Sequence, residues 1–325
     1  MNHSTDLRER IATFLGFEIP TAVPDLEIRE RVEDEGFVRF HLEYKVPDGD
    51  LVTAFMLVPD LPGPHPGVLA LHQHNSQWEL GKSEVCGLAG ERCQAFAPAL
   101  ARRGICVLVP DAVGFESRVA SAGAGKKLAP PLSRPDSTAE GWLQFYNQMC
   151  YRLVTGDHLM RKVLMDASCA IGVMASHGAV DPSRIGVVGH SFGGNTVLFL
   201  AALDERIRFA CASGAASTYR HKMQYGTGLG MSLVIPGCAN VFDIEDLVRC
   251  VPPRRILLVS SDDDPYAADT HEIVQSALST FEEEDCAERL SHFHSSGPHA
   301  LDQIRFDSIV AWMSTEAKRK ALADE

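Results

Sequence analysis

The segment Ile185-Gly-Val-Val-Gly-His-Ser-Phe-Gly-Gly194 carries a serine framed by glycines at the end of an apolar run. A serine hydroxyl is a weak nucleophile in water and becomes reactive beside a general base. At the tip of a sharp strand-to-helix turn it needs small residues two before and two after it. Gly189 and Gly193 stand at those positions around Ser191. Taken bare, the pattern also fits a buried strand that ends in a glycine turn. The flanks favour chemistry: an apolar run precedes it and an apolar helical stretch, Asn195–Leu203, follows. The amide of Phe192, at the start of that helix, then faces any negative charge that develops beside the serine.

A reactive serine requires a base, and the base requires an orienting carboxylate. After the apolar run Ile256–Val259 comes Ser260-Ser-Asp-Asp-Asp-Pro-Tyr266, and Asp264, directly before Pro265, is the first candidate. Asp262 and Asp263 read as solvated turn residues or caps. Of 13 histidines, His299 combines the chain order Ser, Asp, His with a loop after a final strand, Leu290–His294. His292 and His294 fall inside that strand and are the alternatives as base. A second backbone donor for an oxyanion is expected where Leu69-Ala-Leu-His-Gln-His-Asn75 leaves an early strand, at His74 first and Gln73 second.

These residues need a sheet to hold them at one edge. Phe37–Tyr44 and Leu51–Val58, joined by Pro47-Asp-Gly-Asp50, read as an antiparallel hairpin. Gly67–Leu71, Ile105–Val109, Ile185–Val188, Phe209–Ser213 and Ile256–Val259 are nearly continuous apolar runs, as in strands buried on both faces of a parallel sheet. Helix-like stretches alternate with them at Gln94–Arg103, His158–Ser176, Gly194–Leu203, Pro265–Glu284 and His299–Ala323. The fold class is therefore α/β, with helices on both faces. Residues 1–34 read as an N-terminal helical extension and 35–325 as the main domain. Insertions at about 117–147 and 214–249 exceed ordinary connections of roughly 4–6 residues and read as lids or pocket walls. Their Trp142, Phe145, Tyr146, Met223 and Tyr225 are the expected lining of a partly apolar pocket.

The chain has 325 residues, 45% hydrophobic and 22% charged, in the range of globular proteins. A formal charge of −13 without a basic cluster argues against a nucleic-acid partner. Nine cysteines show no C-x-x-C pair, so neither a zinc site nor a disulfide framework is expected, and the reducing cytoplasm is the expected compartment. The first residues do not read as a signal peptide, and no window approaches the roughly 20 apolar residues of a membrane span. No metal and no cofactor is expected; the expected partner is a small-molecule substrate, and homo-oligomerisation is left open.

Together, Leu71-His-Gln-His-Asn75, Gly81-Lys-Ser-Glu84, the run Pro110–Arg118, the run Asp181–Gly194, Asp264-Pro265 and Gly297-Pro-His299 make the sequence resemble the α/β-hydrolase superfamily, nearest its dienelactone hydrolase and acetyl xylan esterase-like branch. The resemblance implies a mostly parallel sheet of about eight strands, a Ser191–His299–Asp264 triad, and cofactor-free hydrolysis of a carboxylic ester or lactone. Dienelactone hydrolases use cysteine where this chain has Ser191, which favours an oxygen-nucleophile esterase. The loop also reads His-Gln-His where His-Gly-x is usual. Glu84 and Glu116 fall in the shared segments, as loop caps or as pocket-shaping partners of Lys82 and Arg118. The same triad would serve an acyltransferase or cyclase of specialised metabolism, and a non-catalytic ligand-binding relative is the reading from another class.

Overall fold

The computed structural model describes residues 3–119 and 137–319. Its strands are β1 (Leu26–Asp34), β2 (Phe37–Lys45), β3 (Leu51–Pro59), β4 (His65–Leu71), β5 (Cys106–Pro110), β6 (Val180–His190), β7 (Ile207–Ser213), β8 (Arg255–Asp263) and β9 (Leu290–Pro298). Its helices are α1 (His3–Leu15), α2 (Lys82–Val85), α3 (Phe96–Ala101), α4 (Ser137–Val154), α5 (Leu159–Ser176), α6 (Phe192–Leu203), α7 (Tyr219–Tyr225), α8 (Ile244–Arg249), α9 (Thr270–Glu283) and α10 (Gln303–Ala317). The strands form one sheet in the order β1-β2-β3-β5-β4-β6-β7-β8-β9. The first three strands and the β3–β5 pair are antiparallel, and every pair from β5 through β4 to β9 is parallel.

Why the apolar runs are continuous is visible in the packing. Val187 of β6 faces a core built with α1, α5, α6 and α8, while its neighbour Val188 faces a second core built with α3 and α10. Leu258 and Leu257 of β8 divide in the same way. Successive side chains point to opposite faces, so a strand with helices on both sides is apolar at every position.

Residues 1–34 correct the expectation of a purely helical extension. Helix α1 is present and docks through Ile11 and Leu15, and Arg8 donates to the carbonyls of Ala202 (3.0 Å) and Cys250 (2.9 Å). Leu26–Asp34, however, is a ninth strand at the sheet's edge, where about eight were expected. It is exposed on nearly its whole length and rich in Glu and Arg, which suits an edge strand but removes the apolar signal. The insertion expected at 117–147 lies in part outside the described residues, as do the positions of the last helix beyond 319. From 137 the chain runs into α4, and 214–249 folds as α7, α8 and short turns.

Candidate active site

Ser191 sits between β6 and α6 with φ 56° and ψ −117°, a strained conformation for a residue with a Cβ. The glycines that permit the turn are sterically required. A Cβ on Gly189 would lie 2.5 Å from the carbonyl carbon of Gly193, and one on Gly193 would lie 2.3 Å from the Leu71 carbonyl oxygen. The Ser191 amide donates to the Ser213 carbonyl at 2.8 Å, which ties the turn to the end of β7.

Strands β8 and β9 deliver the other two groups. Their parallel register pairs Asp263 with Pro298, so the next residues of each chain segment, Asp264 and His299, emerge side by side. His299 Nε2 lies 2.8 Å from Ser191 Oγ, and its Nδ1 lies 2.9 Å from Asp264 Oδ1. The Asp264 side chain is fully buried and also accepts from the Tyr266 amide at 2.9 Å. His190 stacks beneath the His299 ring at 4.8 Å, and Tyr266 meets that ring edge-on at 4.8 Å. Burial, followed by the nearness of His299, holds the His190 imidazole well below its ordinary pKa, so it lies against the His299 ring as an uncharged surface. A Cβ on Gly214 would lie 2.6 Å from His190 Cε1, so this position admits no side chain without moving that backing.

His292 and His294 are placed elsewhere. Both contact Ser260 Oγ, at 2.8 and 2.9 Å, and His294 Nε2 bonds Asp262 at 2.8 Å. Neither lines the pocket that holds Ser191.

On the opposite side, the loop after β4 is held by His72. Its Nδ1 donates to the Gln73 carbonyl at 2.7 Å, while its Nε2 accepts from the Ala112 amide at 3.1 Å. Burial lowers its pKa, consistent with the neutral tautomer that both bonds require. Because the Gln73 carbonyl turns towards His72, the His74 N–H of the same planar peptide turns the other way. Gln73 itself is buried, and its amide side chain donates to Glu84 at 3.2 Å. Among the described residues neither the His74 nor the Phe192 amide donates to a protein acceptor. His74 lines the pocket beside Ser191; its side chain accepts from the Ser76 amide and is pushed down to about 4 by burial and by His72.

Glu84 and Glu116 brace these loops. Glu84 accepts from Gln73 and from the Glu91 amide; Glu116 accepts from the Ser83 amide and hydroxyl and pairs with Lys82 at 2.6 Å. Burial opposes the Lys82 charge, but Asp111 and Glu116 outweigh it and raise its pKa. Arg118 instead pairs with Asp166 and Asp50.

The pocket has a volume of about 350 Å³ and opens to solvent. Of the five residues expected to line it, Phe145 does. Trp142 and Tyr146 stack on each other at 5.1 Å and are exposed, as are Met223 and Tyr225. Helical period explains the difference: Gly141 and Phe145 share the inner face of α4, and Tyr219 and Lys222 the inner face of α7, which turns the neighbouring aromatic residues outward. Sequence reasoning missed Lys222, Tyr266, Asn195, Leu229, Met231 and Leu233 as lining residues; none belongs to a motif that could have marked it.

A match to the family described as acetyl xylan esterase (AXE1) spans residues 20–224, which include Ser191 and the loop after β4. The chain belongs to the acetyl xylan esterase (AXE1) family. It is thus a serine hydrolase of carboxylic esters with the α/β-hydrolase fold, and the match favours this branch over that of the dienelactone hydrolases. The chain is 28% identical over 240 residues to the protein named "Putative hydrolase YtaP" of Bacillus subtilis (strain 168), which covers 72% of each. Among solved structures it is similar to acetyl xylan esterase 1 of Thermoanaerobacterium sp. JW/SL YS485, with a TM-score of 0.63 at 16% identity over 96% of this chain and 93% of that one. A glucuronoyl esterase of Solibacter usitatus gives a TM-score of 0.62 at 12% identity over 96% and 92%. At such identities these two likenesses speak for the fold. No helix among the described residues is long and apolar enough to cross a membrane.

Proposed function

We propose that this family member hydrolyses short-chain acyl esters of polar small molecules through an acyl-enzyme on Ser191. The observation that carries the assignment is the continuous chain from Asp264 Oδ1 through His299 to Ser191 Oγ, with both hydrogen bonds under 3 Å. Ser191 Oγ attacks the ester carbonyl carbon as its proton passes to His299 Nε2. Asp264 holds the tautomer and stabilises the imidazolium. The negative oxygen is met by the amides of Phe192 and His74. Collapse breaks the carbon–oxygen bond to the alcohol, which leaves with the proton from His299. Water then attacks the acyl-enzyme by the same route in reverse, releasing the acid and regenerating Ser191.

The pocket supports this substrate class. Phe145, Met231 and Leu233 offer an apolar side for a short acyl group, while Asn75, Ser76, Asn195 and Ser232 offer polar groups to the alcohol part. Its opening to solvent favours water over another acyl acceptor. All nine cysteines are free, seven of them buried with pKa values raised chiefly by burial, which supports work in a reducing cytoplasm. The test is Ser191→Ala assayed on p-nitrophenyl acetate, with fluorophosphonate labelling of the wild type. The expected result is a loss of kcat of roughly 10⁴ or more, and labelling that the variant lacks. Retained turnover would overturn the nucleophile.

A further inference from the structure

Lys222 is a charged residue on the wall of the catalytic pocket. Thr218 caps helix α7, its amide and hydroxyl donate to Asp269, and this anchoring turns Lys222 inward until it is 3% exposed. It lines the same cavity as Ser191 and His299. No Asp or Glu lines that cavity, and among the described residues no carboxylate lies within ion-pair distance of the ammonium. One of its three N–H groups is spent on the Ser217 carbonyl. The acids whose charge reaches it are hydrogen-bonded elsewhere: Asp269 to Thr218, Asp243 to the amides of Tyr219 and Ile244, and Asp264, through Oδ1, to His299. A buried cation with donors left over, on a residue that lines a cavity, is unfavourable until an anion arrives.

We propose that the pocket takes esters bearing a second, ionised carboxylate, and that Lys222 receives that carboxylate beside the reacting ester. This rests on the assignment of Ser191 as nucleophile and narrows the substrate class from polar esters to anionic ones. The chemistry is shared by hemiesters of dicarboxylic acids, with the charge on the acyl side, and by acyl esters of hydroxy acids, with the charge on the alcohol side.

The experiment compares two matched pairs: the p-nitrophenyl hemiester of glutaric acid against p-nitrophenyl valerate, and 4-acetoxybenzoate against its methyl ester. In the wild type at pH 7, kcat/KM for the charged member of one pair should exceed that of its neutral partner by about tenfold or more, and the pair that shows it identifies the side. In Lys222→Met that ratio should fall by about tenfold. A wild-type measurement keeps the test independent of how the variant folds. Burial outweighs the fields of Asp269, Asp243 and Asp264 and lowers the Lys222 pKa to about 8. Raising the pH through that value removes the ammonium, so the charged-to-neutral ratio should decline across it, while titration of the triad cancels in the ratio. Cleavage of all four esters without a preference, or a ratio that Lys222→Met and pH leave unmoved, overturns the inference and leaves the triad standing. Failure to cleave any of the four, with no labelling of Ser191, overturns both.

Discussion

His294 and His299 each lie between a serine hydroxyl and an aspartate, with similar distances, and yet their surroundings differ. His294 joins Ser260 to Asp262, whose side chain is 62% exposed, on the flank of β8 and β9. His299 joins the strained Ser191 to an aspartate with no exposure, inside a pocket. Solvent screens the first pair, whereas the second acts where charge is little screened. His299→Ala should therefore lower kcat on p-nitrophenyl acetate by on the order of 10³ or more, and His294→Ala should leave it within about threefold. Comparison of the two variants under steady-state conditions, with circular dichroism to confirm folding, checks this; the reverse order would move the base. That Ser191, Asp264 and His299 meet was legible in the sequence because a turn, a strand end and a chain order constrain them. Lys222 was not, since a lysine on a short helix carries no sign of whether it faces water or a cavity.

The elements that carry the site differ in how they are fixed. The glycine turn is rigid by backbone sterics, and the β8–β9 register brings Asp264 beside His299 without help from side chains. The loop after β4 depends on His72, which grips the Gln73 carbonyl and the Ala112 amide at once and packs 4.7 Å from the Phe115 ring. Sequence reasoning put a backbone donor on this loop, at His74 first and Gln73 second, from the loop's place in the chain order alone. What favours His74 is the orientation of one peptide plane, set by a side chain on the neighbouring residue. His72→Phe would keep the ring packing and remove both bonds, freeing the peptide to turn. It should lower kcat by about tenfold to a hundredfold with KM changed little, since an oxyanion donor acts mainly in the transition state. A rise in KM at constant kcat would instead assign His72 to substrate binding.

For the whole molecule, the parallel core was legible because strands buried on both faces are apolar at every position, while β1 was hidden by its exposure. What the sequence could not disclose is the charge buried where the antiparallel and parallel parts of the sheet meet α5. The Lys162 side chain has no exposure and bonds Asp48 at 2.6 Å, Asp50 at 2.8 Å and Asp166 at 3.0 Å, joining the β2–β3 turn to α5. Lys162→Met would leave Asp48 and Asp50 unpaired by it but partly hydrated, and Asp166 still paired with Arg118 at 2.8 Å. The cost should then be about 2 kcal/mol, below the roughly 3–5 of a fully buried broken pair, read as a lower urea midpoint with an unchanged m-value. Its pH dependence follows from two shifts. Burial alone would raise the Asp48 carboxyl, but the Lys162 hydrogen bond and charge outweigh it and lower its pKa; Lys162 is raised because Asp166 and the hydrogen bonds to Asp48 and Asp50 outweigh burial. A lowered carboxyl stabilises the fold above its unfolded pKa of about 3.9 and loses that contribution as the pH falls through its folded value. A raised lysine contributes below about 10.4 and loses its share as the pH rises through its folded value. The gap in stability between wild type and Lys162→Met should hold its full size between about pH 5 and 9 and narrow below about 4. A gap that stays constant down to pH 3 would mean that Lys162 stabilises through the packing of its methylenes, which Met reproduces only in part, and not through its charge.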